Sequence, residues 1–269
     1  MTKISFVGAG NMAQALIGGL LRAGHPASEL HAADPVAAAR DAVATLGVAA
    51  TDDNAAAVAD SEVVLLAVKP QVLAQVLAPL HDAIPEGALV MSIVAGMPLA
   101  AIEALLRPGQ PVVRCMPNTP ALLSAGITGM FANRAVSPDQ RAQAETLAGA
   151  AGEWVWVDEE RQLDAVTAVS GSGPAYFFYL MEAMIEAGVE LGLDAELARR
   201  LTVSTAAGAA AMANQPDAVP GVLRQNVTSP GGTTEAALNH FEAQALARHI
   251  RAALTAADRR AAELAKEFS

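Results

Sequence analysis

The stretch KISFVGAGNMAQALIGGLLRAG, residues 3–24, joins a short apolar run, a glycine-rich turn and a long amphipathic segment. Within it, Gly8, Gly10 and Ala13 form a G-x-G-x-x-A pattern. In a strand, turn and helix with this pattern, the first glycine makes the tight turn and the second lets a pyrophosphate approach the backbone. The alanine allows close packing of helix on sheet, and the helix start offers free N–H groups. We therefore predict a dinucleotide site, with a purely structural turn as the alternative.

The chain repeats this alternation of short apolar runs with alanine- and leucine-rich segments up to about residue 158. The runs are ISFVG, LHAAD, VVLLAV, LVMSIV, VVRCM, ITGMFA and WVWV. Short runs that are apolar throughout are typical of strands buried on both faces, and their alternation with helices indicates a parallel sheet. We predict an α/β chain in which a Rossmann-type, doubly wound domain spans residues 1–159.

The remainder, residues 160–269, has apolar residues spaced by three and four, which predicts an all-helical domain. Thr202 to Ala213 carries almost only small side chains and no charge, so we place it in the middle of that domain or at a subunit interface. An ordinary buried helix within one monomer is the alternative. The aromatic residues from Tyr176 to Tyr179 are interpreted as core, and the helix break SGSGPAYFF that contains most of them fits either a ligand contact or a kink.

Composition excludes several classes of function. A net charge of -11 argues against nucleic acid and acidic membrane surfaces as partners. The most membrane-like segment, Leu163 to Met181, is interrupted by Asp164 and a Gly-Ser-Gly-Pro run. A single cysteine, Cys115, and the absence of a signal-like leader predict a cytoplasmic protein, and we interpret Cys115 as a packing residue. The five histidines show no metal-ligand spacing, so no metal is predicted.

Polar residues and glycines follow several of the predicted strands, where ligands of open α/β sheets bind. Asp34 ends the second run, and a carboxylate there accepts hydrogen bonds from ribose hydroxyls and repels a 2′-phosphate, which favours NAD over NADP. Alternatively, Asp34 and Pro35 cap the next helix, while Arg40 could reach a phosphate. The segments LLAVKPQ, SIVAG and RCMPNTP end three further runs and form a predicted cofactor rim.

A second glycine-rich stretch, VTSPGGTTEAAL at residues 227–238, precedes a predicted helix. Each glycine costs about 1 kcal/mol relative to alanine inside a helix, so bare backbone is needed there. Ser229 before Pro230 fits an N-cap followed by proline at the first helical position. Gly231 and Gly232 then leave the N–H groups of residues 229–234 open, which predicts an anion site.

Five motifs taken together resemble the pyrroline-5-carboxylate reductase family over essentially the whole chain. They are FVGAGNMA, AVKPQ, RCMPNTPALL, AVTAVSGSGPAYFF and NVTSPGGTTEAAL, in this order. The resemblance implies reduction of the cyclic imine Δ1-pyrroline-5-carboxylate to L-proline with NADPH or NADH, the last step of proline biosynthesis. It also implies a helical domain that binds substrate and intertwines in a homodimer, with rings of dimers in many members.

Two rival classes are disfavoured. β-Hydroxyacid dehydrogenases share the two-part organisation but use a lysine in the helical half, and no lysine lies between Lys69 and Lys266. A non-catalytic dinucleotide sensor or amino-acid-binding protein would be expected to have a damaged SPGGTT stretch, and here the stretch is intact.

The resemblance also assigns site residues. The predicted cofactor-binding residues are Val7, Gly8, Ala9, Gly10, Asn11, Met12, Asp34, Pro35, Asn54, Ala67, Val68, Lys69, Pro70, Ala95 and Gly96. The predicted substrate-binding residues are Glu160, Asn226, Ser229, Gly231, Gly232, Thr233 and Thr234. Thr234 is the predicted catalytic residue, as a proton relay or only as the group that orients the imine. Members that prefer NADPH often carry a small polar residue where Asp34 stands, so the choice between NADPH and NADH stays open.

Overall fold

The N-terminal part of the chain forms an eight-stranded sheet in a computed structural model that describes residues 2–268. The strands are β1 Ile4–Val7, β2 Leu30–Ala33, β3 Ala49–Thr51, β4 Val63–Leu66, β5 Leu89–Ser92, β6 Val112–Met116, β7 Gly126–Ala132 and β8 Gly152–Trp156. Their order is β3-β2-β1-β4-β5-β6-β7-β8, and the first six are parallel. That arrangement is the doubly wound Rossmann order, so the predicted fold class is confirmed.

The sheet departs from the prediction in two places. Strand β3 was not among the predicted runs, because it has only three residues and none of them is fully buried. Strand β7 runs antiparallel to β6, and β8 is parallel to β7. Only residues 117–125 connect β6 to β7, which is shorter than the ten or so residues that a parallel crossover needs.

Helices connect the strands and make up the rest of the chain. They are α1 Asn11–Arg22, α2 Ala37–Ala44, α3 Asn54–Val58, α4 Leu73–Leu77, α5 Leu99–Glu103, α6 Pro138–Gly149, α7 Gln162–Val166, α8 Gly173–Glu190, α9 Ala195–Ala213, α10 Pro220–Asn226, α11 Thr233–Ala243 and α12 Leu246–Glu267. A π-helical turn, Thr167–Gly171, continues α7 at the predicted helix break. Among the described residues, no helix has both the length and the apolar character that a membrane crossing requires.

Apolar side chains fill both faces of the sheet. Phe6 belongs to one buried cluster and its neighbour Val7 to another, and Leu65 and Leu66 divide in the same way. Because successive side chains of a strand point to opposite faces, this division follows from runs that are apolar throughout. Each such side chain contributes roughly 1.5–3 kcal/mol by its burial, so the sheet is a rigid support for the loops at its edges. Cys115 is buried in this core, as predicted, and burial raises the pKa of its thiol.

The chain divides into two compact units. The first runs up to Ser172 and includes the residues from Ala257 onward, and the second is Gly173–Ala256. The predicted boundary at 159/160 lies before α7, which contacts β6 and β7 and therefore belongs to the first unit. The end of α12 returns to the first unit, where the Cβ of Leu264 lies 3.2 Å from the position that a Cβ on Gly96 would take.

The second unit, described by itself, leaves much apolar surface open in the single chain. Phe177, Phe178 and Tyr179 on α8 are 64%, 58% and 75% exposed, so their interpretation as core is wrong for one subunit. Most of Thr202 to Ala213 on α9 is also exposed, which contradicts the alternative of a helix buried within a monomer. Helices with this little cover in one chain are typical of an interface between chains.

Candidate functional site

The glycine-rich turn after β1 is required by the fold at one position. Gly8 has a φ of +100°, and a Cβ there would lie 2.6 Å from the carbonyl oxygen of Ala67. Its N–H donates to the carbonyl oxygen of Ala33, at the end of β2. No side chain fits this conformation at this distance, so glycine is needed for the turn itself. Ala13, one turn into α1, is fully buried, as close packing of helix on sheet requires.

Gly10 is different, because no other part of the chain requires it to be glycine. Its φ is -69°, and a Cβ there would have no heavy atom within 4 Å. Gly10 is the N-cap of α1, and no side chain caps that helix. The first N–H groups of α1 are therefore left for another partner. Open backbone next to an uncapped helix start fits a bound pyrophosphate.

Asp34 is held against this turn by two hydrogen bonds. Its Oδ2 accepts from the N–H of Ala9 at 2.8 Å, and its Oδ1 accepts from the N–H of Val36 at 2.9 Å. Helix α2 begins at Ala37 with Val36 as its N-cap and has no side-chain cap, so the alternative in which Asp34 and Pro35 cap the helix is wrong. The guanidinium of Arg40 donates to the carbonyl oxygens of Asp34 and Pro35.

The other predicted cofactor-binding residues follow the neighbouring parallel strands. Asn54 follows β3 and is the first residue of α3, Ala67 to Pro70 follow β4, and Ala95 and Gly96 follow β5. Gly96 has a left-handed φ of +71°. Since β1 to β5 run in the same direction in adjacent positions, the structure brings all the predicted cofactor-binding residues to one edge of the sheet.

Glu160, a predicted substrate-binding residue, lies in an ion cluster of the first unit. Its Oε1 accepts from the N–H of Leu99, the first residue of α5, and from Nη1 of Arg114, both at 2.7 Å. Nη2 of Arg114 lies 3.9 Å from Oδ1 of Asp164 in α7. The side chains of Arg114 and Asp164 are only 9% and 10% exposed, and that of Glu160 is 29% exposed.

The cluster holds one more carboxylate than its buried cation neutralises. Burial raises the pKa of Asp164, and the negative charges of Asp258 and Glu160 add to this effect. The positive charges of Arg114 and Arg161 act in the opposite direction. Asp164 was not predicted as a site residue, and Arg114 was predicted only as part of the RCMPNTP segment of the cofactor rim. A lone arginine inside the apolar run VVRCM is nevertheless a usable signal of a buried ion pair.

In the second unit, the SPGGTT stretch forms a turn before the helix rather than the helix start itself. The N–H of Gly232 donates to the carbonyl oxygen of Ser229, and Gly231 has a φ of +71°. Helix α11 therefore begins at Thr233 with Gly232 as its N-cap. The predicted roles of Ser229 as N-cap and Pro230 as first helical residue are wrong, because the turn closed by Ser229 comes first.

The same turn changes which N–H groups are open. The N–H of Gly231 donates to Oε2 of Glu235 at 2.7 Å, and that of Gly232 is used by Ser229. Within residues 2–268, no acceptor is recorded for the N–H groups of Thr233, Thr234 and Glu235, the first turn of α11. The open N–H groups thus lie slightly later in the chain than the predicted residues 229–234. Asn226 is the last residue of α10. Glu235 was not predicted, and its bond to Gly231 is not a capping box, because the N-cap is a glycine.

A Rossmann sheet with an open glycine turn and a carboxylate at the end of β2 defines a class, the NAD(P)-dependent oxidoreductases. Residues 3–96 match a family model described as NADP oxidoreductase, coenzyme F420-dependent. Residues 160–264 match the family model for pyrroline-5-carboxylate reductase dimerisation, which supports a homodimer.

Relatives and solved structures narrow the class. The chain is 52% identical over 267 residues to pyrroline-5-carboxylate reductase of Pseudomonas aeruginosa, covering 99% of this chain and 98% of the relative. The corresponding enzyme of Haemophilus influenzae is 44% identical, covering 98% of each chain. Among structures, the reductase of Coxiella burnetii superposes with a TM-score of 0.94 at 42% identity, covering 98% of each chain. That of Plasmodium falciparum, with NADP bound, gives 0.87 at 26% identity, again covering 98% of each.

The chain therefore belongs to the pyrroline-5-carboxylate reductase family, whose members carry out the NAD(P)-dependent last step of proline biosynthesis. A 3-hydroxyisobutyrate dehydrogenase of Mycobacterium tuberculosis, from the rival class, superposes with a TM-score of only 0.51 at 20% identity. That likeness shows a shared fold and nothing more.

Proposed function

We propose that this chain reduces Δ1-pyrroline-5-carboxylate to L-proline, and that the predicted cofactor-binding and substrate-binding residues perform these roles in it. The observation that carries this proposal is the open first turn of α11, where the N–H groups of Thr233, Thr234 and Glu235 adjoin a threonine hydroxyl. The free N–H groups of an open helix start can bind a carboxylate, and the threonine hydroxyl can form a hydrogen bond with a second polar atom of the same ligand. The substrate offers both, because it is a small ring with a carboxylate and an imine nitrogen.

The first unit binds the cofactor in this proposal. The backbone at Gly10 and the start of α1 hold the pyrophosphate, and Asp34 lies where the adenosine ribose is expected. When bound, the nicotinamide supplies the hydride. The residues of the chain bind the cofactor, orient it and exclude water. NADPH and NADH are both proposed as cofactors, and the Asp34 carboxylate favours NADH by repelling a 2′-phosphate.

Most of the proposed substrate contacts lie in the second unit, and Glu160 lies in the first. The N–H groups at the start of α11 hold the carboxylate without any arginine. Asn226 and the turn from Ser229 to Gly232 complete the predicted set. Glu235 holds the turn in shape through its bond to Gly231.

Thr234 is the proposed partner of the imine nitrogen. A threonine hydroxyl is a weak acid at neutral pH, so it orients the protonated imine or passes a proton from water. Such help is worth about 100-fold in rate. Holding the imine carbon in line for hydride transfer contributes a further and larger factor.

The proposed assembly is a homodimer in the cytoplasm, with a ring of dimers as the higher form. The exposed apolar residues of α8 and α9 support an intersubunit surface in the second unit. The net charge of -11 and the single buried cysteine support a soluble protein in a reducing compartment.

Steady-state kinetics with both cofactors tests the proposal. The purified chain is expected to oxidise NADPH and NADH only when the imine is present. Thr234→Ala should lower kcat by about tenfold or more, in keeping with the loss of general acid help. Thr234→Ser, which retains the hydroxyl, is the matched control and should keep most of the activity. Failure of the wild-type chain with both cofactors would contradict the reaction, and full activity of Thr234→Ala would remove Thr234 from the mechanism.

A further inference from the structure

Arg114 is a buried cation of the first unit, and it contacts Glu160, a predicted substrate contact. Its side chain, from the middle of β6, is 9% exposed and reaches two carboxylates that both follow β8 in sequence. Nη1 donates to Oε1 of Glu160 at 2.7 Å, and Nη2 lies 3.9 Å from Oδ1 of Asp164. A buried arginine between two acids costs desolvation, so its presence needs a reason beyond a surface ion pair.

The hydrogen bonds to Glu160 are unequally divided between its two oxygens. Oε1 accepts both the Arg114 bond and the bond from the N–H of Leu99. Among residues 2–268, no donor to Oε2 is recorded, and the side chain is still 29% exposed. Two donors that converge on one oxygen fix the plane and direction of the carboxylate and leave the other oxygen available to a ligand N–H.

We infer that Arg114 is a positioning residue of the reductase reaction, which, anchored by Asp164, holds Glu160 so that Oε2 stays open to a hydrogen bond from the substrate. This inference rests on the proposed function, and specifically on Glu160 as a substrate contact. Arg114 acts through Glu160 and does not itself bind the substrate carboxylate, because its Nη1 is already used and its side chain is nearly covered. A lysine could not replace it fully, since one ammonium does not reproduce the planar fork that spans two carboxylates.

The test compares Arg114→Met, Glu160→Gln, the double variant and Arg114→Lys. KM for the imine, kcat, the Kd of NADPH and the thermal midpoint are measured for each. Arg114→Met and Glu160→Gln are each expected to raise KM by about tenfold, a loss of one ligand hydrogen bond, while the Kd of NADPH changes little. The double variant should be no worse than the more affected single variant, because both disable the same contact. Arg114→Lys should lie between wild type and Arg114→Met.

The control is Arg107→Met, which removes an arginine that donates to Asp82 elsewhere in the first unit and should leave KM unchanged. A wild-type KM in Arg114→Met, or a double variant in which the two effects multiply, would overturn the inference. So would an unchanged KM in Glu160→Gln. If Arg114→Met does not fold, Arg114→Lys decides, and a KM equal to that of wild type then overturns it. A wild-type chain that is inactive with the imine contradicts the proposed function instead, so the two failures are distinguishable.

Discussion

The side chain of Asp34 has two roles. It forms a hydrogen bond with the backbone of the glycine turn, and it is predicted to contact the adenosine ribose of the cofactor. The bond from the N–H of Ala9 to Oδ2 ties the end of β2 to the glycine turn. The position of Asp34 could be predicted from sequence, because it depends on the local order of strand and loop. The cofactor preference could not be predicted in the same way. It depends on how strongly the carboxylate repels the 2′-phosphate that only NADPH carries, and this depends on the geometry of the bound cofactor.

Replacement of Asp34 by serine should move the preference toward NADPH. Serine retains a hydroxyl near Ala9 and removes the charge that repels a 2′-phosphate. The ratio of kcat/KM for NADPH to that for NADH is expected to rise by about tenfold, which corresponds to about 1.4 kcal/mol. Asp41→Asn removes the same negative charge from an exposed position on α2, so it is the control and should leave the ratio unchanged. An unaltered ratio in Asp34→Ser would show that Asp34 does not select the cofactor.

Asp164 should leave a mark on the pH dependence of stability. Its pKa is raised in the folded protein, mainly by burial, so the protonated form is the one that folding favours. The resulting stabilisation is complete below the ordinary carboxyl pKa of about 3.9 and is lost as the pH rises through the raised value. Asp164→Asn cannot titrate, so its free energy of unfolding should fall less over this range.

Urea denaturation of wild type and Asp164→Asn at a fixed protein concentration, in steps from about pH 4 to pH 7, measures this difference. Asp41→Asn, on the exposed side of α2, should follow the wild-type curve. Parallel curves for wild type and Asp164→Asn would mean that the burial of Asp164 does not affect its titration.

Local patterns pointed to some residues of the candidate site and missed others. Gly8, Gly10 and Asp34 follow from a strand, turn and helix that are adjacent in sequence. The ion cluster does not, because Arg114 and Glu160 are 46 residues apart and meet only after β6 and α7 have packed together. Glu235 was also missed, because its contact with Gly231 depends on a turn that moves the N-cap from the predicted Ser229 to Gly232.

The start of α11 shows the limit of the same rules for whole elements. Serine followed by proline favours a helix start at that point, but the left-handed Gly231 and the bond from Gly232 to Ser229 favour a turn. The sheet shows a similar limit, because apolar runs predict strands without giving the direction of β7. In both cases the geometry of a connection decided the outcome.

Substitution of Gly231 separates backbone strain from ligand binding. Gly231→Val places a β-branched residue at a φ of +71°, which should cost roughly 1–2 kcal/mol of stability. Gly231→Asn is the matched control, because asparagine tolerates the left-handed region and no heavy atom lies within 4 Å of the new Cβ. Both variants should raise KM for the imine, since each adds a side chain beside the open amides. Thermal midpoints and KM values measured together test this, and a wild-type KM in both variants would contradict the anion site.

At the scale of the whole molecule, the exposed apolar residues of α8 indicate a second copy of the chain. The matching family model is one of dimerisation, and it covers α8 and α9. The prediction of Thr202 to Ala213 at a subunit interface agrees with this, whereas the aromatic residues were wrongly placed in the core of one chain. An apolar pattern predicts that side chains are buried, but it does not say whether they are buried within one chain or against a second chain.

A charge on this surface should break the dimer. Phe178→Asp places a carboxylate where a side chain is 58% exposed in the single chain, and it is expected to shift the protein from dimer to monomer. Light scattering coupled to gel filtration measures the mass. Leu123→Asp, which changes an 84% exposed apolar residue outside the matched dimerisation segment, is the control and should remain dimeric. A Phe178→Asp variant that stays dimeric would place the interface elsewhere.

The central claim is hydride transfer from the nicotinamide to the imine carbon of Δ1-pyrroline-5-carboxylate. The most direct measurement supplies the wild-type chain with the imine and with NADPH or NADH deuterated at the transferred position, and then analyses the product by mass spectrometry and NMR. We expect L-proline carrying one deuterium at C5. Oxidation of the cofactor without deuterated proline, or no reaction with either cofactor, would contradict the account.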